Sequence, residues 1–329
     1  MRFAVTVGKF ALSGRLEKLA VVIASANRAT ALEETVSCVL RQSRRPAEIV
    51  LSVPQGEGHV SASTARLPDV KIIRGEVGLT RQRNRAVDAL AAEIELVAFL
   101  DDDVELRNDY LSAIARAFCE RPDVVFLRGH MVVNGLACNG SERTRARALL
   151  ADDMRVHAGD QAPLQLDLIT AIDAYGATMS VRRAAFDVVR FDERLPLYGY
   201  MEDLDFAQQC AHIGKLAYCH NARLVHLFMP SGRIPGIRMG FSQVANPLYL
   251  WRKGTLPSRV LCRVLMRHLA ANALKSMLPR QPIDRRGRLL GNLMALRSAA
   301  LGRVAPEEAE TLSAEGRSAR RLAARARPS

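Results

Sequence analysis

The sequence predicts an α/β fold on a mainly parallel sheet, with a basic helical extension at its C-terminal end. Three observations predict it. Short apolar runs suited to buried strands alternate with segments of helical periodicity over the first ~120 residues. An acidic triplet, Asp101-Asp102-Asp103, follows directly on the apolar run Ile94–Leu100, and ligands of such sheets sit at the carboxyl ends of strands. Charge is also unevenly spread. Residues 1–240 hold 30 Lys+Arg and 29 Asp+Glu, whereas residues 241–329 hold 17 (47 − 30) and 5 (34 − 29), a net +12.

The elements follow in order. Leu19–Ser25 is an apolar run suited to a buried parallel strand. Ala29–Gln42 carries Leu32, Val36, Val39 and Leu40 at helical spacing, and Thr30 with Glu33 suits a capping box at its start. Glu48–Val53 and Val70–Arg74 read as the next strands, Thr80–Ala92 as an Arg- and Ala-rich helix. Leu96–Leu100 is the fourth strand and Asp109–Cys119 the helix after it. Val124–Val133 is another strand. Residues 134–165 read as a long irregular excursion, a length that usually marks a functional or mobile loop. Ala177–Val181 is a short strand, Arg182–Val189 a helical turn and Glu202–Gly214 a helix. Leu216–His220 and Arg223–His226 are two short apolar pieces. The expected organisation is a lead-in over 1–18, a catalytic domain over 19–240, a basic amphipathic helical region over 241–316 and a flexible tail over 317–329.

Composition narrows the class. At 329 residues and 49% hydrophobic the chain can bury a large core. Its six cysteines show no CxxC spacing, which fits reduced thiols in a cytosolic protein and argues against a cysteine zinc site. The N-terminus lacks a long apolar stretch and a cleavage site, so no signal peptide is expected. No run of 18 residues is apolar throughout, so no membrane span is expected either.

The triplet carries the chemistry. Three adjacent carboxylates repel one another and call for a cation, and a divalent metal bearing a phosphorylated ligand fits that need. Without one, a solvated acidic turn capping the next helix would account for them. Glu202-Asp203 places two acids at a helix start, where neighbours shift each other's pKa and where acids also simply complement the helix dipole. Arg83 lies near a helix start, where charge and free N–H groups favour phosphate. Arg81 and Arg85 beside it equally suit a solvated face. His226 is a metal ligand or a core histidine.

Four pieces stand in order along the chain: Val21-Val-Ile-Ala-Ser-Ala-Asn-Arg28, Gly78-Leu-Thr-Arg-Gln-Arg-Asn-Arg85, Phe99-Leu-Asp-Asp-Asp-Val104 and Gly199-Tyr-Met-Glu-Asp-Leu-Asp205. Together they resemble the inverting family-2 glycosyltransferases of the GT-A fold, over roughly residues 19–240. The resemblance implies a Rossmann-like sheet flanked by helices and transfer of a sugar from a nucleotide-diphosphate donor. It implies that Asp101 contacts the nucleoside, that Asp103 with His226 holds Mg²⁺ or Mn²⁺, and that Asp102 supports or touches the donor. Asn27, Arg28, Arg83 and Thr178 would line the donor site, and Arg233 would close over the diphosphate. Asp203 would be the base that deprotonates the acceptor hydroxyl, with Glu202 orienting the acceptor; Asp205 is expected to be a supporting or solvated acid. Two departures are plain. Ser52-Val-Pro-Gln-Gly56 lacks the acid that commonly reads the nucleobase, and Ala24-Ser-Ala26 replaces the usual Pro-Thr-Tyr. UDP, dTDP and GDP therefore all stay open.

In the basic quarter, Leu256–Leu278 carries Arg259, Arg263 and Arg267 in one stripe, with Val260, Leu261, Val264, Leu265, Leu269 and Leu274 as apolar surface. Arg285-Arg286-Gly-Arg288 opens a second apolar stretch. Such helices lie on anionic lipid or pack as a cap with a solvated arginine face. No nucleic-acid module accompanies the charge, so no nucleic-acid partner is expected. The combined expectation is a metal-dependent transferase, cytoplasmic and peripheral on the inner membrane face, acting on a glycan or lipid-linked acceptor in bacterial surface polysaccharide synthesis. A sugar nucleotidyltransferase and a catalytically silent scaffold are the competing readings. Against the first, no Gly-rich loop with a lysine follows the first strand.

Overall fold

The computed structural model describes residues 17–137, 142–157, 162–228, 234–278 and 283–312. Arg233, the tail over 317–329 and nearly all of the lead-in lie outside the described residues.

The elements run β1 (Leu19–Ala24), α1 (Ala29–Leu40), β2 (Glu48–Pro54), α2 (Ala62–Ala65), β3 (Val70–Gly75), α3 (Leu79–Asp88), β4 (Leu96–Leu100), β5 (Val104–Leu106), α4 (Tyr110–Glu120) and β6 (Val124–Ala137). They continue through α5 (Glu142–Val156), β7 (Leu166–Leu168), β8 (Met179–Arg182), α6 (Glu202–Cys210), β9 (Lys215–Phe228), α7 (Gly236–Lys253), α8 (Ser258–Ser276), α9 (Arg285–Ala300) and α10 (Glu308–Thr311). Nine strands form one sheet in the order β3-β2-β1-β4-β8-β6-β9-β5, with β7 also on β9. The β3-β2-β1-β4 half is parallel. Beyond β4 the sheet is mixed, because β8, β5 and β7 all pair antiparallel.

The chain divides into two compact units. The first takes the described residues of Met1–Val77, Arg81–Phe191 and Phe206–Gly232; the second takes those of Gly78–Thr80, Asp192–Asp205 and Arg233–Ser329. The second unit thus holds Glu202 and Asp203 as well as the helices after residue 240.

In the first unit the sheet is buried on both faces. Leu19, Val21 and Ile23 of β1 pack with α1 and α4 on one side, while Ala20 and Val22 face α3 and the aromatic group Phe186, Phe191 and Phe206 on the other. Strands covered on both sides read as continuous apolar runs, which is why their positions show in the sequence.

Four expectations need correction. The Thr30/Glu33 capping box is absent: Arg28 is the N-cap of α1 and no side chain caps it. The excursion over 134–165 is not irregular, since it holds the end of β6 and the 15-residue helix α5. Arginines dock that helix: Arg143 pairs with Glu34 and Glu105, and Arg147 with Glu105. The two short pieces Leu216–His220 and Arg223–His226 are one 14-residue strand, β9, paired in parallel to β6 through several register shifts. Bulges of this kind break the alternation that a sequence reading follows. Finally, α3 and α6 stop at Asp88 and Cys210, short of the expected Ala92 and Gly214.

The second unit is helical. Two apolar clusters hold it together: Leu195, Leu204, Leu250, Leu256, Val260 and Leu261 in one, and Phe241, Val244, Ala245, Ala295, Ala309 and Leu312 in the other. Val264, Leu265 and Leu269 pack against these clusters. Most of the apolar surface expected on α8 is therefore used inside the unit. Helices α7 and α9 cross closely, since a Cβ on Gly240 or Gly291 would lie 2.0 Å or 2.1 Å from a backbone carbonyl of the other helix.

Candidate active site

The site of the first unit forms where β4 ends. Leu96–Leu100 is fully buried, and the chain emerges at Asp101. It then turns into β5, which pairs antiparallel with β9 in a register that sets Val104 opposite His226. The Leu227 N–H donates to the Asp103 carbonyl at 2.8 Å and fixes that junction. The pairing brings the His226 imidazole onto the acidic triplet. Its Nε2 is 3.2 Å from Asp103 Oδ1 and 3.8 Å from Asp101 Oδ2. One ligand atom from each of Asp101, Asp103 and His226 lies within 4.8 Å of the other two.

Asn134, at the end of β6, orients this ring. His226 Nδ1 donates to Asn134 Oδ1 at 3.0 Å, so that Nε2 faces the carboxylates. The second nitrogen of a metal-binding histidine is commonly held in this way. Tyr175 packs edge-on against the same ring. Burial disfavours a charge on His226, but the Asp103 hydrogen bond and the fields of Asp101 and Asp103 outweigh it, and its pKa lies above the ordinary value.

The carboxylates are held unequally. Asp102 turns into the protein, accepting from Ser25 Oγ and from Arg28 at 2.9 Å. Burial pushes its pKa up to about 6, against the opposing pull of Arg28 and Ser25. Arg28 also reaches Asp103 at 3.2 Å and so bridges two members of the triplet. Burial raises the pKa of Asp101 as well, Arg83 opposes this and Asp103 adds to it. Two carboxylate oxygens and one imidazole nitrogen make an oxygen-rich donor set that suits a hard divalent cation.

Arg83 is not at a solvated helix start. It is 2% exposed, sits in the second turn of α3, and lies over the rings of Phe99 and Phe191. Its guanidinium donates to the Gly176 carbonyl at 3.1 Å and pairs with Asp101 at 3.5 Å. Thr178 is fully buried two residues further on, its hydroxyl donating to the Tyr175 carbonyl. Asn27 is exposed in the left-handed region at φ 60°, with its N–H donating to His59. In the altered second-strand segment, Gln82 donates to the Ser52 carbonyl and Arg85 to the Ser52 hydroxyl.

Glu202 and Asp203 belong to the second unit, at the start of α6. The turn before them is strained. Leu197, Gly199 and Met201 all have φ near +60°, a region costly for the two non-glycine residues and often found where a functional geometry is imposed. Tyr200 in that turn meets His268 Nε2 at 2.5 Å, and its carbonyl accepts from Asn246. Glu202 is buried, while Asp203 is the more accessible of the pair. Asp205 is a supporting acid rather than a solvated one: it is fully buried and accepts from Lys253 and Thr255, each at 2.7 Å.

The structure thus brings together Asp101, Asp102, Asp103, His226, Arg28 and Arg83, while Asp203 and Glu202 stand in the other unit. Sequence reasoning missed Ser25, Tyr175, Asn134 and Arg143. Arg143 bonds the Asp102 and Val104 carbonyls behind the triplet. Ser25 was within reach, since it directly follows the first strand; nothing local marks Asn134 or Arg143.

The profile of the family described as "Glycosyl transferase family 2" matches residues 20–190, more than half of the chain. No protein of curated function matches it. Among solved structures, S. aureus TarS 1–349 is similar at 15% identity and TM-score 0.52, over 87% of this chain and 82% of that one. The same protein in complex with UDP-GlcNAc is similar at 16% identity and TM-score 0.54, over 86% and 81%. GalNAc-T7 with UDP, GalNAc and Mn²⁺ is similar at 15% identity and TM-score 0.48, over 81% and 59%. At these identities the likeness to TarS is one of fold.

Proposed function

This chain belongs to glycosyl transferase family 2, and we propose that it moves a sugar, with inversion, from a nucleotide-diphosphate donor to a hydroxyl of a glycan or lipid-linked acceptor. The observation that carries the reading is the cluster of Asp101, Asp103 and His226 at the carboxyl end of β4. Mg²⁺ or Mn²⁺ bound there supplies positive charge against the diphosphate leaving group. Asp103 and His226 would hold the ion, and Asp101 would contact the nucleoside. Arg28 keeps Asp102 and Asp103 in place, and Arg83 anchors Asp101 from beneath. Asn27 lines the donor site, Thr178 supports its wall from a fully buried position, and Arg233 contributes positive charge toward the diphosphate. Asp203 takes the proton of the attacking hydroxyl while Glu202 orients the acceptor. Assembly of bacterial surface polysaccharide, on the inner face of the cytoplasmic membrane, is the setting we propose.

Thermal shift with UDP, GDP and dTDP, each with and without Mn²⁺, tests the reading. One nucleotide should stabilise the protein only when the metal is present, and Asp103→Ala should abolish that gain. At a nucleotide concentration a hundred times the dissociation constant, the gain is about 2.7 kcal/mol. A folded protein that responds to none of the three, or an Asp103→Ala variant that responds as fully as the parent, would overturn it.

A further inference from the structure

Helices α8 and α9 and the residues just after their C-terminal ends expose large apolar side chains that their own unit leaves uncovered. Met277 is 75% exposed, Leu274 64%, Leu301 63% and Leu293 54%, and Leu278 and Leu290 are exposed as well. Scattered apolar residues on a surface need no explanation, but a contiguous set does. On α9 the exposed positions Arg286, Leu290, Leu293 and Arg297 recur at four, three and four residues, with Leu301 four further on. That spacing draws one line along a helix. The other side of α9, with Gly291, Asn292 and Ala295, is buried. Arg286 Nε donates to the Ser276 carbonyl at 3.2 Å, which ties the start of this line to the exposed end of α8.

The charge carried by α8, α9 and the link between them is positive but for one residue. Between Thr255 and Pro306 the only acidic residue is Asp284, and its carboxylate is used, accepting from the Gly287 N–H at the start of α9. Arg259, Arg263 and Arg267 are exposed on α8, and Arg286 and Arg297 stand within the α9 line. A second copy of this face would meet like charge. So would residues 313–329, which hold five arginines and a single acid, Glu315. No helix among the described residues is long and apolar enough to cross a membrane.

We propose that the outward edge of α8 and α9 docks on an anionic phospholipid bilayer. Leu290, Leu293 and Met277 enter the boundary between head groups and chains, and the arginines meet the phosphates. This surface is distinct from the donor cluster, and the proposal stands independently of how that cluster is read. Of the apolar surface expected from sequence, Val260, Leu261, Val264, Leu265 and Leu269 are used inside the unit, whereas Leu274 and the positions Leu290, Leu293 and Leu301 of the second stretch stay open.

Sedimentation of the full chain with vesicles tests it, comparing phosphatidylcholine alone with phosphatidylcholine mixed with phosphatidylglycerol. Binding should require the anionic lipid and fall in about 0.5 M salt. Leu290→Asp with Leu293→Asp should lower partitioning at least roughly tenfold at an unchanged circular dichroism spectrum. If the aspartates unfold the protein, Arg286→Gln with Arg297→Gln reads the same contact through charge, with a loss of about fivefold per arginine. Equal binding to both vesicles, no binding, or no change in the folded variants overturns the proposal. So does a parent dimer in solution that Leu290→Asp with Leu293→Asp dissociates, because a second copy would then be the occupant.

Discussion

His226 in the sheet unit and His268 in the helical unit are pulled in opposite directions. Burial disfavours the charged form of both. Around His226, Asp103 and Asp101 reverse that effect and raise the pKa. Around His268, Arg267, Arg288 and Arg285 reinforce it, and the pKa falls to about 4. The sheet unit fixes opposite charges against each other at particular positions, as in Arg107, which lies between Asp109 and Asp153 with all three side chains buried. The helices α8 and α9 of the helical unit carry mostly positive charge and turn much of it outward. Removing a charge should therefore do local damage around Arg107, whereas where α7 and α9 cross the tight points are steric.

The sharpest way to break the contrast is Arg107→Ala. Arg107 binds Asp109 with two nitrogens, at 2.6 and 2.8 Å, and also reaches Asp153 and the Asn221 carbonyl. Its loss strands buried carboxylates and should cost about 3–5 kcal/mol in denaturant unfolding. A cost below about 1 kcal/mol would mean the pairing is not what holds this region. A smaller effect is expected where the helical unit is tightest. Gly291→Ala puts a methyl 2.1 Å from the Ile237 carbonyl, and overpacking of that kind costs about 1–3 kcal/mol. If stability is unchanged, α7 and α9 do not cross as closely as described.

The smallest effect is the one that compares the histidines directly, by NMR titration of the metal-free protein. His268 has a folded pKa below the ordinary 6.5, so as pH falls the unfolded chain takes up its proton first. Its contribution to stability is complete above about pH 6.5 and is lost between there and about pH 4. His226 has a raised folded pKa, so its contribution is complete below 6.5 and is lost as pH rises from there through the higher folded value. Two histidines titrating together near 6.5 would remove the contrast.

The strands of the parallel half and the triplet were legible because their signals are local. Leu19–Ala24 and Leu96–Leu100 are apolar runs of strand length, and Asp101 follows at the edge where ligands bind. The partners of the triplet were not legible, because they depend on distant pairing. Asn134 reaches His226 across 92 residues, and Arg143 reaches Asp102 across 41. Local chemistry also misled where tertiary contacts overrode it. Glu33, expected to cap α1, instead accepts from the Ser63 hydroxyl.

The register between β5 and β9 has a consequence for how this chain tolerates changes in length. Side chains alternate along a strand, so one residue inserted between Leu224 and His226 would reverse the parity of the imidazole and turn it from the acidic cluster. Two inserted residues would restore the parity but carry the ring about 7 Å along the sheet. Substitutions in this stretch can be graded and mild, but a change of length has no mild form: the geometry of the acidic cluster is counted in whole residues.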